Sequence, residues 1–166
     1  MPKTKSTNPL EDLFAETMKD VYFAEKQILR ALPKMAKEAT TPELKEAFET
    51  HRDETEQQVE RLNQVFEQMG RPARGKTCDA ILGIIDEAKE FMDEFKGTDA
   101  LDPALIASGQ TVEHYEITRY GTLKAWANQL GMKDVARLLD ETLQEEMKTD
   151  KLLTELATSS VNKKAA

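Results

Sequence analysis

The chain has 166 residues, and its 31 acidic side chains against 23 basic ones give a formal net charge of −8. That length suits a single domain with a substantial core. The acid excess argues against nucleic-acid binding and against an anionic membrane surface, because both require clustered Lys and Arg. The single cysteine, the lack of a secretion signal and the lack of an apolar span of membrane length lead us to expect a cytoplasmic protein.

Proline and glycine divide the sequence into helices. Three capping side chains stand directly before a proline, which is typical of helix starts: Asn8-Pro9, Thr41-Pro42 and Asp102-Pro103. Helix ends are expected at Gly70, Gly97 and Gly131. Apolar residues recur at helical spacing between these signals. The predicted helices span 9–39, 42–69, 78–96, 103–130 and 133–158, with a kink or an early end at Pro33.

Loop lengths then predict the topology. The first two long helices and the last two are each joined by a short loop, which makes each pair antiparallel. The long connection from Gly70 to Asp102 carries the short third helix. The sequence therefore predicts an all-α, ferritin-like four-helix bundle in one domain, residues 1–166, with its core at about 9–158 and a polar tail at 159–166. The short helix has more apolar surface than one contact needs, which predicts a role in a dimer interface.

Acidic side chains interrupt the apolar face of all four long helices. A buried, unpaired carboxylate is costly, so carboxylates on four inward faces indicate a shared divalent cation. Spacings of three or four residues let two side chains of one helix reach the same site. The candidate metal ligands are Glu25, His51, Glu54, Glu113, Glu116, Glu146 and Asp150.

The heights of these carboxylates along the helices agree with one site. Glu25 and Glu54 each lie about 15 residues from the first predicted turn, and Glu116 and Glu146 lie about as far from the second. At a rise of about 1.5 Å per residue, the carboxylates of each hairpin are nearly level. The alternative is that these charges lie at solvated edges of the apolar faces, paired with Lys or Arg. His114 lies off the apolar face, and we expect it to be structural.

Four segments of the sequence carry a family resemblance. They are DVYFAEKQILRALPKMA around Glu25, HRDET from His51, VEHYEITRYGTL from Val112 and LQEEMKTDKLLTELA from Leu143. They resemble the YciF/YciE family of bacterial ferritin-like stress proteins, over nearly the whole chain. The resemblance implies a bundle related to rubrerythrins, a homodimer and a stress-response role. Proteins of the wider superfamily bind two iron or manganese ions and carry out ferroxidase, peroxidase or catalase chemistry.

Carried over by position, the resemblance assigns Glu25 to the first helix, Glu54 to the second and Glu146 to the fourth. The third helix matches with two glutamates, Glu113 and Glu116. Two features depart from the usual Glu-x-x-His pattern of the superfamily. His51 precedes its glutamate, and the fourth helix has no histidine, so either Glu145 or Glu146 can face the site. Such an oxygen-rich site favours manganese or magnesium, or weakens iron binding, and argues against a standard ferroxidase mechanism.

Three functions remain open from the sequence. In the first, two metal ions react with O₂ or peroxide, bridged by Glu54 and by Glu116 or Glu146, with the other candidates as terminal ligands and Tyr120 as a hydrogen-bonding or redox partner. In the second, the chain is a non-enzymatic helical dimer with a structural cation or no metal. The third is an iron-storing cage, for which no repeated interface is visible. Whether the protein is an oxidoreductase stays open.

Overall fold

A computed structural model describes residues 7–166, and every regular element in that range is helical. The helices are α1 (Pro9–Glu38), α2 (Pro42–Gln68), α3 (Asp79–Glu94), α4 (Leu101–Gln129) and α5 (Lys133–Leu156), followed by a π-helical turn (Ala157–Val161) and the short α6 (Asn162–Ala165). All five predicted helices are confirmed, each end within two residues of its expected position. No helix in the described range combines the length and the apolar character of a membrane span.

The helix boundaries follow the signals in the sequence. The Asn8 side chain accepts hydrogen bonds from the backbone N–H groups of Leu10 and Glu11, at 3.1 and 3.4 Å, and Pro9 opens α1. Pro33 does not end that helix, which continues to Glu38. The three expected terminators, Gly70, Gly97 and Gly131, adopt φ values of 64°, 78° and 74°, the left-handed conformation that stops a helix.

Asp102 has a different role from the predicted one. Helix α4 already begins at Leu101, so Asp102 lies inside its first turn. Its carboxylate accepts hydrogen bonds from the backbone N–H groups of Thr40 and Thr41, at 2.8 and 2.7 Å, and from both threonine hydroxyls. Asp102 therefore caps the start of α2 from across the fold and ties the α1–α2 turn to α4. Burial acts to raise the pKa of Asp102, but these hydrogen bonds outweigh it and hold the pKa below its ordinary value.

The four long helices form a ferritin-like bundle. Helix α1 packs on α2 and on α4, and α5 packs on α4 and on α2, while α3 covers α4 and α1 from the long crossover. The helical tail continues past residue 158 because Val161 is buried against the bundle.

The bundle interior has three zones. The α3 cluster is apolar and includes Ile28, Leu32, Leu44, Phe48, Ile81, Leu105 and Leu153. The distal cluster, at the other end, is also apolar and includes Phe14, Met18, Leu62, Leu123 and Leu139. Buried polar side chains separate them on every long helix, and we call these the polar layer: Glu25, His51, Gln58, Glu113, Glu116, Tyr120 and Glu146. Four of the six carboxylates predicted on the apolar faces thus occupy one level of the core.

Replacing Asp102 with Asn tests the tie between the α1–α2 turn and α4. We expect Asp102→Asn to lower the free energy of unfolding by about 1–3 kcal/mol at pH 7, because charge-assisted hydrogen bonds to backbone N–H groups are lost. The pKa of Asp102 is lower in the folded chain than its ordinary 3.8, so its contribution is present above pH 3.8. It is lost as the pH falls through the folded-state pKa.

Urea unfolding of the wild type and the variant between pH 7 and pH 3 measures this difference. Asp99→Asn, at an exposed aspartate three residues earlier, is the matched control and should change stability by less than about 0.5 kcal/mol. Equal effects of the two substitutions at pH 7 would contradict the role of Asp102.

Candidate metal centre

Four side chains from three helices meet in the polar layer. His51 of α2, Glu113 and Glu116 of α4 and Glu146 of α5 each offer one ligand atom, and these atoms all lie within 4.8 Å of one another. None of the four residues is more than 2% exposed. His51 Nε2 lies 3.0 Å from Glu113 Oε1, 3.6 Å from Glu146 Oε2 and 4.0 Å from Glu116 Oε2. This group, an imidazole with three carboxylates, can hold a metal ion.

Glu25 brings a fourth buried carboxylate into the polar layer, from α1. Its Oε1 accepts a short hydrogen bond from the Tyr120 hydroxyl, while its Oε2 has no partner in the described chain. Burial first, and then repulsion from Glu146, raise the pKa of Glu25 to about 8. Burial also raises the pKa of the Tyr120 hydroxyl, with the negative charge of Glu25 as the next cause. The tyrosine therefore stays protonated and acts as the donor to Glu25.

Buried polar atoms outnumber hydrogen bonds in the polar layer. Within the described residues, atoms without a hydrogen-bond partner include both ring nitrogens of His51, both oxygens of Glu116 and one oxygen each of Glu25, Glu113 and Glu146. An unsatisfied buried polar atom costs roughly 1–3 kcal/mol, and more when it is charged. A divalent cation would pair with most of this set, namely the carboxylate oxygens and His51 Nε2, because these are its usual ligands and its charge opposes that of the carboxylates. His51 Nδ1 faces Glu54 instead, at 3.8 Å. The donor set therefore fits a metal.

Proton affinity in the polar layer is shifted by burial and by crowding of like charges. Burial is the largest cause that raises the pKa of Glu116, followed by the negative charge of Glu146. Burial likewise raises the pKa of Glu146, followed by its interaction with Glu113. For His51, burial acts to lower the pKa, but the Glu113 carboxylate and the other carboxylates around it raise it well above the ordinary value. Without a cation, the raised pKa values favour protonation of these carboxyl groups, which reduces the repulsion between them.

Of two adjacent glutamates on α5, one faces the site and the other is bound by Arg61. Its two terminal nitrogens donate to the two oxygens of Glu145, each at 2.7 Å, and hold that carboxylate at the partly exposed edge of the bundle. Glu146 is fully buried and accepts a short hydrogen bond from Gln58, which also donates to Glu145 at 3.0 Å. Of the two alternatives that the sequence left open, Glu146 is the one in the polar layer.

Two of the seven sequence candidates, Glu54 and Asp150, lie outside the polar layer. Glu54 Oε2 is 3.8 Å from His51 Nδ1, and its side chain is 25% exposed at the edge of α2. Asp150 accepts a hydrogen bond from Gln110 at 3.1 Å and lies 3.2 Å from the exposed His114. The structure therefore brings together five of the seven candidates and leaves these two at the rim.

Sequence reasoning overlooked Gln58 and Arg61 as site residues. Gln58 is fully buried and supports Glu146, and Arg61, one turn further on, fixes Glu145. The sequence did contain a signal: Gln58 lies on the apolar face of α2 seven residues after His51, and Arg61 follows three residues later. Only the position of α5 beside α2 shows which acids they hold.

A double-mutant cycle on Arg61 and Glu145, with both residues changed to Ala singly and together, measures this ion pair. We expect a coupling energy of about 1–2 kcal/mol, because the pair is bidentate and its side chains are only 17% and 24% exposed. The matched control is Arg52 with Glu56, an exposed pair on α2 with the same 2.7 Å separation. Its coupling should not exceed about 0.5 kcal/mol. Equal couplings would show that Arg61 does not hold Glu145.

Comparison with known proteins places the chain in a family. Protein YciF of Escherichia coli (strain K12) is 46% identical over 157 residues, which are 94% of this chain and 95% of that protein. The crystal structure of the E. coli stress protein YciF is similar at a TM-score of 0.89 and 44% identity, covering 95% of this chain and 99% of that one.

Two further solved structures are similar to the chain. YcfI from Rhodopseudomonas palustris, described as a candidate structural protein, has a TM-score of 0.87 and 44% identity over 91% of this chain and 96% of its own. A Xanthomonas campestris protein, 22% identical with a TM-score of 0.74 over 95% of this chain and 96% of its own, shares the fold. Residues 9–166 match the family described as a domain of unknown function, DUF892. The resemblance noted in the sequence is confirmed, and the chain belongs to this family of YciF-like proteins.

Proposed function

We propose that the chain is a dinuclear metalloprotein that binds two iron or manganese ions in the polar layer and reacts with O₂ or peroxide. The observation that carries this proposal is the buried group of His51, Glu113, Glu116 and Glu146, whose polar atoms are largely without hydrogen-bond partners. The E. coli relative is described as a stress protein, which supports a stress-response role. A cytoplasmic homodimer remains part of the proposal.

Charge and donor count support two ions rather than one. Four carboxylates are buried in the polar layer, and two divalent cations balance four negative charges with His51 neutral. The four-residue group would hold one ion. Glu25, with an oxygen free of hydrogen bonds, and Glu116, with two such oxygens, would hold a second ion beside it. Glu116 would then contribute to both ions.

The ligand types favour hard, redox-active cations. One imidazole and four carboxylates make an oxygen-rich site, which suits Mn²⁺, Fe²⁺ and, as a redox-inert substitute, Mg²⁺. Iron or manganese supplies the change of oxidation state that ferroxidase, peroxidase or catalase chemistry requires. The chain's own residues position this chemistry: Tyr120 orients Glu25, Gln58 orients Glu146, and the two apolar clusters exclude bulk water.

A second function is a non-enzymatic helical protein with protons or a structural cation in the polar layer. It is favoured by the raised pKa of Glu25, about 8, which lets the layer exist with protons in place of metal. The R. palustris relative is described as a candidate structural protein. In this case metal binding has no catalytic consequence.

Anaerobic titration with Fe(II) and Mn(II), followed by elemental analysis, separates the two functions. We expect two metal ions per chain, and at least tenfold weaker binding for Glu116→Gln, which keeps the side-chain shape and removes the bridging charge. Asp150→Asn is the matched control, because Asp150 lies at the rim and pairs with His114. Addition of O₂ or peroxide should give turnover in the wild type that Glu116→Gln lacks. Absence of bound metal, or equal binding by all three proteins, would contradict the proposal.

Thermal unfolding gives an independent test of the same site. At 100 times the dissociation constant, Mn²⁺ should stabilise the wild type by about 2.7 kcal/mol, which corresponds to roughly 5–10 °C in Tm for a chain of this size. In the presence of EDTA, Glu116→Gln should be as stable as the wild type or up to about 1–2 kcal/mol more stable, since it relieves crowding of buried carboxylates. A variant that is strongly destabilised in EDTA would show that Glu116 is structural rather than a metal ligand.

A further inference from the structure

A cavity of about 170 Å³ lies between α1, α3 and α4, next to the polar layer. Its inner walls are the buried apolar side chains of Ile28, Phe48 and Val112, and Glu113 of the candidate metal centre also lines it. The cavity therefore runs from the surface groove between α1 and α3 to the edge of the buried carboxylates. Nothing in the proposed metal chemistry uses this space.

Small side chains on the two outer helices create the cavity. Ala31 of α1 and Ala88 of α3 both line it, and neither fills the gap between the two helices. Gly109 of α4 also lines it, and a Cβ there would lie 3.3 Å from Phe48 Cε1, so the bare backbone lets the ring take its place in the wall. A cavity of about 150 Å³ can bind benzene, so this one has room for roughly six carbons.

Basic side chains surround the outer opening, although the chain as a whole is acidic. Arg30 and Lys34, on successive turns of α1, are exposed and form no ion pair with any described residue. Lys89 of α3 stands on the other side and pairs with Asp86 at 2.9 Å. A second groove, of about 310 Å³, continues from this opening along the same two helices, and four lysines, Lys34 and Lys89 among them, line it together with Glu38 and Asp93. An apolar interior with a cationic opening is complementary to an amphiphilic anion.

We propose that this cavity binds a medium-chain aliphatic carboxylate, of about six to eight carbons, with its carboxylate at Arg30 and Lys34 and its hydrocarbon chain directed towards Glu113. The opposite orientation would bring a negative charge to the acidic polar layer, where four carboxylates are already buried. Burial of the hydrocarbon against the apolar walls drives binding, and the positive charges of Arg30 and Lys34 fix the orientation of the ligand. The binding does not rest on the metal centre.

Isothermal titration with sodium octanoate tests this site. We expect one octanoate per chain, and binding at least roughly fivefold weaker in the double variant Arg30→Gln, Lys34→Gln, since two charge contacts are removed. The same double variant should bind 1-octanol within about twofold of the wild type. Lys133→Gln, at an exposed lysine near the other end of the bundle, is the matched control and should bind octanoate as the wild type does.

A second variant tests the cavity itself. Ala88→Leu adds a branched side chain to the wall and should abolish binding of both octanoate and 1-octanol, while its helical circular dichroism and cooperative thermal unfolding show that the fold is intact. Glu116→Gln should keep octanoate binding, so a failure of the metal proposal remains distinguishable from a failure of this one.

Three results would overturn the inference. The first is no binding of octanoate, or binding of acetate as tight as that of octanoate, which would indicate surface charge alone. The second is an unchanged octanoate affinity in the Arg30 and Lys34 double variant. The third is a change of oligomeric state in sedimentation, caused by octanoate or by Ala88→Leu, which would show that a second copy of the chain covers the opening.

Discussion

Burial of four carboxylates within one level of a helical core is the constraint on which the rest of this structure depends. Each buried charge opposes folding by several kcal/mol unless it is neutralised or bound. The α3 cluster and the distal cluster lie on either side of the polar layer, and full burial of each large apolar side chain contributes roughly 1.5–3 kcal/mol. Apolar packing on both sides therefore keeps the four helices close together, although repulsion between the buried carboxylates opposes that approach.

Hydrogen bonds around the polar layer determine where each carboxylate points. Tyr120 holds one oxygen of Glu25, and Gln58 holds one oxygen of Glu146, which leaves the remaining oxygens facing the centre. Arg61 withdraws the neighbouring Glu145 to the rim and so limits the negative charge of the interior. A protein that only had to avoid buried charge would not keep these carboxylates in place. The neighbouring side chains thus hold these carboxylates in an arrangement that can receive a metal ion.

The fold and the level of the site could be predicted from the sequence, because both depend on regular helix geometry. Proline, glycine and capping residues mark the helix ends, and a constant rise per residue places Glu25 level with Glu54 in one hairpin and Glu116 level with Glu146 in the other. The prediction that the four long helices form a ferritin-like bundle is confirmed by the similarity to YciF.

Which edge residue faces inward could not be predicted, because it depends on the neighbouring helix. On α2 the buried side chains are His51, Thr55 and Gln58, so Glu54 lies to one side of that line. On α5, Glu146 and Leu153 are buried, and Asp150 between them is rotated towards α4. The apolar face that a sequence predicts for one helix is wider than the surface that the helix buries. Which residues at the edge of that face are buried depends on the position of the neighbouring helix. Helix periodicity likewise does not predict which ions bind or how many.

The crossover between the hairpins contributes no residue to the polar layer. The hydrogen bonds of the layer join distant parts of the chain, since Tyr120 donates to Glu25 across 95 residues and Gln58 donates to Glu146 across 88. Each hairpin alone carries only part of the ligand set, so the centre exists only when the two hairpins dock. A cation bound there would join the two halves of the sequence. It would stabilise the folded chain, because the unfolded chain does not hold these ligands together.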